Sequence, residues 1–428
     1  MSRVIQVNER PSAAEFIPLS LQHLFAMFGS NVLVPILFKV DPAAILLMNG
    51  IGTLLYLLIC RGRIPAFLGS SFAFLSPVFL VLSKGSYEAA LGGFIASGIV
   101  FILVALIIRA AGTGWINVVF PPAAMGAIVA VIGLELVPTA ADMAGLIRPL
   151  NNPPADWSMN ANTVTVSVIT LLVTILGNVL FRGFLKIIPI LIGIIVGYIA
   201  GWLFGMVDFT PVAQAAWFAL PDFRTPVFDW ASIAVILPAS LVVIAEHIGH
   251  LIVTSNIVGK DLAKDPGLDR SLMGNGISTV LSGFVGSTPN TTYGENIGVL
   301  ALSRVYSVWV IGGAAVFAVL LSFLGKLAAL ISTIPTPVMG GVSLLLFGVI
   351  ASSGIRMLVE AKVDYSRPVN LILTTIVLVI GISGATFTWG NFSLKGMALA
   401  TVVAIVLSLL LKLFEKIGWS NESTDSAH

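Results

Sequence analysis

Charge is scarce in this chain. Only 10% of its 428 residues are Asp, Glu, Lys or Arg, against about 25% in an ordinary soluble domain, so a conventional solvated globule is excluded. Cysteine is scarcer still: Cys60 stands alone, and no internal disulfide can form. Charge of one sign is also missing. The formal net charge of +2 is too small to point to nucleic acid or acidic partners. No cleavable signal peptide is evident, because the first twenty residues are polar and carry Glu9, Arg10, Pro11 and Glu15.

What the chain has instead is apolar length. Hydrophobic residues make up 57% of it and its mean hydropathy is +1.03, which marks an integral membrane protein in contact with the lipid bilayer. Runs long enough for roughly 30 Å of hydrocarbon recur from residue 17 to residue 417, leaving no room for a separate soluble domain. Charged or Pro/Gly-rich breaks divide them into fourteen segments: 17–38, 43–60, 71–83, 88–111, 118–138, 161–181, 187–206, 231–254, 271–287, 289–302, 305–330, 335–355, 369–390 and 394–416. With a cytoplasmic N-terminus and fourteen crossings, sixteen basic residues fall on the cytoplasmic side and six on the other, which accounts for all 22. That asymmetry agrees with the positive-inside rule. It makes 1–16 a cytoplasmic N-terminus and 417–428 a polar cytoplasmic tail.

Two segments, 71–83 and 289–302, are too short to span as helices, and each follows a Gly/Ser-rich stretch, Gly69-Ser70-Ser71 and Gly286-Ser287-Thr288-Pro289. An internal repeat relates them. Phe120-Pro121-Pro122-Ala123-Ala124-Met125-Gly126 matches Ile334-Pro335-Thr336-Pro337-Val338-Met339-Gly340 at an offset of 214 residues; Phe72 and Tyr293 are 221 apart, and His23 and His250 are 227 apart. Each repeat holds seven segments. An odd number inverts the second half relative to the first, the architecture in which interrupted segments meet near the midplane of a transporter.

Ionisable groups inside apolar surroundings are few: Glu246, Glu295, His23, His247 and His250, with Glu135 nearer a segment end. Each costs at least about 2.5–3.5 kcal/mol at the bilayer centre, so each is a functional candidate. In Ala245-Glu246-His247-Ile248-Gly249-His250, Glu246 and His250 share a helix face and their side chains can touch, while His247 points about 100° away. A carboxylate beside a histidine can hold and release one proton, a coupling element. Glu295 lies in the polar run 286–298 with an amide at each end, Asn290 and Asn296, and Gly294 before it leaves the backbone open. Two carboxylates facing one cavity suit a small neutral ligand with N–H donors. Phe72 taken alone reads as core or lipid packing, but from the matching segment it can stack on a flat ring, as can Tyr293. The stripe Gly193-xxx-Gly197-xxx-Gly201 reads as a close-packing face within the protomer. Asn290-Thr291-Thr292 matches a glycosylation acceptor but reads as buried.

An intramembrane metalloenzyme is the alternative from another class. Its case is poor: Glu246-His247-x-x-His250 is not the His-Glu-x-x-His of zinc proteases, and no third ligand is evident. No metal or cofactor is expected.

The motifs together resemble the nucleobase-ascorbate transporter family, and within it the bacterial uracil:proton symporters. The resemblance runs from Ser20-Leu21-Gln22-His23 through Gly69-Ser70-Ser71-Phe72-Ala73-Phe74 and the Glu246 motif to Glu295-Asn296-Ile297-Gly298 with Ser303-Arg304, where the family signature has threonine in place of Ser303. It implies an all-α polytopic fold with a core domain (17–111 and 231–330), a gate domain (118–206 and 335–416), and a short strand in each of segments 3 and 10. It further implies that Glu246 and Glu295 accept the ring N–H groups of uracil, Phe72 stacks on it, backbone at Gly294 meets a ring carbonyl, His23 lines the site, and His250 joins in proton coupling. Homodimers through the gate domain and a bacterial inner-membrane location belong to the same expectation. The signature is shared by xanthine and urate permeases. An anion transporter of related fold is disfavoured by the two carboxylates.

Overall fold

The structure, a computed structural model, describes residues 4–150, 153–389 and 392–419. The tail expected over 417–428 lies outside the described residues beyond Trp419, as do Arg3 and the Asn151-Asn152 step of the 139–160 link.

Local chemistry sets most helix ends. Asp41 accepts the amide of Ala43 at 2.9 Å and Pro42 occupies the first turn, opening the Pro42–Ile59 helix. Asn160 accepts the amides of Asn162 and Thr163 at the start of Ala161–Leu180. Asp229 takes both the amide and the hydroxyl of Ser232, which hold its carboxyl below the usual carboxylate range and start Trp230–Ile236. Both copies of the Pro-x-x-x-Met-Gly repeat open helices in the same way: Pro121 precedes Pro122–Met143 and Pro335 precedes Thr336–Glu360.

Among the described residues, eight helical stretches are long and apolar enough to cross a membrane by length and composition, and the chain is a multi-pass membrane protein. Shorter apolar helices include Phe72–Leu82, Pro189–Leu203, Val308–Ser322 and Pro368–Ile382. Several expected boundaries move. The first stretch breaks at Met27 into Ala13–Ala26 and Phe28–Phe38. The 231–254 stretch breaks at Leu237-Pro238, where proline cannot supply a backbone donor, and resumes as Ala239–Val258. The 305–330 stretch ends at Ser322, because the chain at Trp217–Ala219 captures the turn that follows: Ala219 donates to the carbonyl of Phe323 and Gly325 to that of Trp217, both at 3.0 Å. Segment 369–390 ends at Ile382. Its remainder forms an unforeseen antiparallel hairpin, Thr386–Trp389 with Phe392–Lys395.

Two packing groups are evident. Pro122–Met143 lies along Thr336–Glu360 and Pro368–Ile382, and Ala161–Leu180 lies along Pro189–Leu203. Leu268–Val285 packs on Tyr87–Ala111 and Pro42–Ile59, while Val308–Ser322 packs on Pro42–Ile59 and Ala13–Ala26. The glycine stripe works within the chain: a Cβ at Gly193 or Gly197 would collide with the hydroxyls of Thr174 and Thr170 on the neighbouring helix. Glu135 is also structural, since its Oε2 accepts the amide of Met397 at 2.8 Å and caps Gly396–Lys416.

Candidate functional site

The interrupted segments meet. Strand β1 (Leu68–Ser70) pairs antiparallel with β2 (Asn290–Thr292), with Leu68 opposite Thr292 and Ser70 opposite Asn290. The ladder continues through Ser71 N–H to Pro289 O (2.9 Å) and Tyr293 N–H to Phe67 O (3.3 Å). Such irregular backbone is tolerated at membrane depth only where protein buries it, and every residue of both strands is buried. Each strand leads into a short helix, Phe72–Leu82 and Gly294–Ser303.

Alternation along β2 divides its roles. Asn290 points into the scaffold: its Nδ2 donates to Ser278 Oγ at 2.5 Å and its backbone exchanges bonds with Thr279 Oγ1. It is fully buried, which disposes of the glycosylation reading. Thr292 bonds His250. Thr291 and Tyr293 face the other way and line a cavity with Phe72, Glu246, His250 and Glu295. Gly294 completes that wall, and Val129, Val349, Ile350 and Ser353 close the opposite side.

The cavity leaves about 20 Å³, room for about one water molecule. Its polarity is concentrated on one wall. Glu246 Oε2 and Thr291 Oγ1 are buried there without a hydrogen-bond partner among the described residues. Buried polar atoms left unmet cost about 1–3 kcal/mol each, and of these two the Thr291 hydroxyl can donate as well as accept, so the Glu246 carboxyl is the one that favours a ligand donor. Glu295 stands in the first turn of the Gly294–Ser303 helix, where the positive end of the helix dipole offsets its charge. Phe72 and Tyr293 stack with centroids 6.4 Å apart and planes 16° from parallel, and Phe347 meets Phe72 edge-on at 5.9 Å. Tyr293 is fixed by its hydroxyl, which donates to Ser70 O at 3.0 Å across the two strands.

His250 shares the cavity with Glu246. Its Nδ1 lies 2.8 Å from Thr292 O. A carbonyl only accepts, so Nδ1 carries the proton and Nε2 presents a lone pair toward Gly294, where a Cβ would sit 3.5 Å away. His23 is not among the lining residues. It lies behind them, with Nδ1 2.8 Å from Asn296 Nδ2, and Asn296 Oδ1 accepts the amide of Phe67 at 3.3 Å. Both amides flanking Glu295 are therefore scaffold. His247 turns away, as its helical position requires, into a Ser271–Tyr56 network with two 2.7 Å contacts.

Thr291, Val129, Val349, Ile350 and Ser353 were not anticipated as lining residues. Strand alternation with Tyr293 was a usable signal for Thr291. The apolar residues of the opposite wall carry no sign of their position.

The cavity is built on two broken segments, with a carboxylate on each of two elements and an aromatic pair beside them. The chain belongs to the nucleobase-ascorbate transporter family: the model of the permease family matches residues 14–390, and it is accordingly not an enzyme, which ends the metalloenzyme reading. It is 69% identical over 420 residues to the uracil permease of Paenibacillus larvae subsp. larvae, covering 98% of this chain and 99% of that one. The uracil permease of Escherichia coli K12 is 65% identical over 411 residues (96% and 94%), and that of Bacillus subtilis 168 is 49% identical over 413 (95% and 94%). Among solved structures, the fold is similar to SLC26A9 (TM-score 0.70, 12% identity, 94% of this chain and 65% of that longer one). It is also similar to the transmembrane domain of the cyanobacterial bicarbonate transporter BicA (TM-score 0.62, 16% identity, 94% and 96%).

Proposed function

We propose that this chain imports uracil together with protons across the bacterial inner membrane by alternating access. The observation that carries the reading is the cavity wall on which Glu246 and Glu295 stand beside the Phe72–Tyr293 stack. Uracil is a flat ring with two N–H donors and two carbonyls. Glu246 and Glu295 accept the N–H groups, Phe72 covers the ring face, and the backbone at Gly294 meets a carbonyl. Proteins named uracil permease at up to 69% identity over nearly the full length support the substrate.

The proton is the coupling ion. His250 and the two carboxylates are the groups that take it up and release it, with Nε2 of His250 as the basic atom nearest Gly294. Access alternates as the Val129, Val349, Ile350 and Ser353 wall separates from the strand wall, since the cavity between them is too small for a ring. In this reading the fourteen segments form two inverted repeats of seven. A core domain (17–111, 231–330) moves against a gate domain (118–206, 335–416), the protein is a homodimer through the gate, and both termini are cytoplasmic.

Radiolabelled uracil uptake into proteoliposomes with an inward proton gradient tests this. Uptake that collapses when the gradient is dissipated is the expected result. Uptake of xanthine but not uracil would make the protein a purine permease, and uracil uptake indifferent to the gradient would remove the coupling.

A further inference from the structure

Three arginines converge on an open concavity of about 480 Å³ that shares no lining residue with the transport cavity. Arg10 comes from the N-terminal arm, Arg61 and Arg63 from the turn after Pro42–Ile59, and Val308 with Trp309 from the first turn of Val308–Ser322. Asn8 completes the rim.

The arrangement is held in place. Val308 N–H donates to Val7 O (2.9 Å), Tyr306 N–H to Ile5 O (2.8 Å), Ile5 N–H to Arg304 O (3.0 Å), and Ser307 Oγ to Glu9 O (2.6 Å). Ile5, Val7 and Val305 are buried beneath it. Ordering such an arm costs roughly 1–2 kcal/mol of backbone entropy per residue, and its last ordered step sets the Arg10 guanidinium 3.6 Å above the Trp309 ring.

The charge is only partly balanced locally. No acidic residue lines the concavity. Arg63 pairs with Asp265, a half-exposed pair that contributes little by itself. The guanidiniums of Arg10 and Arg61 make no hydrogen bond or ion pair to any described residue. The positive end of the Val308–Ser322 helix adds to the field.

We infer that this concavity is a binding site for a phosphate-bearing anion. Guanidinium forks match phosphate oxygens in pairs, and several of them facing one open space suit an anion of more than one oxygen. The site lies where two apolar helices end, beside a half-exposed tryptophan, the depth of phospholipid headgroups. The anion is therefore a lipid phosphodiester or a soluble phosphate.

Thermal unfolding of the purified full-length protein, with phosphatidylglycerol, phosphatidylcholine or inorganic phosphate added, separates these. The midpoint rises with phosphatidylglycerol and not with phosphatidylcholine if the ligand is a lipid, and with inorganic phosphate if it is soluble. Arg10→Gln and Arg61→Gly each weaken the apparent affinity roughly tenfold or more. Glycine suits the left-handed backbone at Arg61, where φ is 55°. The two variants lie on separate segments, so a folding fault in one leaves the other as the test. Lys260→Gln, outside the concavity, keeps the wild-type response. The site is overturned if no probe shifts the wild type, or if Arg10→Gln and Arg61→Gly respond as the wild type does.

Discussion

The two broken segments share a backbone plan and divide the chemistry. In the first, β1 passes into the 3₁₀ turn Phe72–Phe74, whose three side chains are all buried and apolar. In the second, β2 passes directly into Gly294–Ser303, and the same junction holds Tyr293, Gly294, Glu295 and Asn296. The first arm offers shape and a ring face; the second offers a charge, an open backbone and a helix end. Pairing the arms through their main chains leaves the side chains at the junction free to differ, as the proposed binding of one flat ligand, with an apolar cover on one side and acceptors at its edge, requires.

Substitutions can break that division, and the acceptors give the largest effect. Glu295→Ala and Glu246→Ala each remove a carboxyl acceptor and leave a ring N–H buried without its partner, a loss of about 1–3 kcal/mol or roughly 5- to 150-fold in uracil affinity. Isothermal titration measures it, and unchanged affinity in either variant would remove that residue from the site. His250→Asn comes next. Asparagine keeps a donor for Thr292 O but has no basic nitrogen facing Gly294, so gradient-driven uptake falls by at least about tenfold while equilibrium binding changes less than about threefold. Equal losses in both would assign His250 to binding rather than coupling. Phe72→Ala tests the apolar arm: stacking contributes ~0.5–1.5 kcal/mol, so uracil affinity drops roughly 2- to 12-fold. A loss as large as that of Glu295→Ala would mean that the first arm carries more than a ring face.

Much of this was legible in the sequence because the signals are local. Apolar length and a polar run inside an apolar stretch each act within a few residues. The pairing of Phe72 with the Glu295 stretch was legible through the offset of the repeat, and Glu246 through its cost in a membrane. What escaped depends on distant partners. His250 is oriented by Thr292, 42 residues on, which offers a carbonyl to its Nδ1. His23 sits behind the site because Asn296, 273 residues away, claims its Nδ1. The strands Thr386–Trp389 and Phe392–Lys395 are only four residues each and rich in Thr and aromatic residues, and runs that short cannot be told from helix ends by periodicity alone.

The smallest effect tests the link between the arms rather than either arm. Ser70 Oγ and Thr288 Oγ1 lie 2.6 Å apart, both buried, one from each segment. Ser70→Ala removes that bond and leaves the Thr288 hydroxyl without its partner, while the Ser70 carbonyl still accepts from the hydroxyl of Tyr293. Stability therefore falls by about 1 kcal/mol, read as a lower midpoint in thermal unfolding, and uracil affinity stays within about twofold. If affinity fell as it does for Glu295→Ala, the strand pair would be part of the recognition surface, and the separation between a shared scaffold and a divided chemistry would fail at its joint.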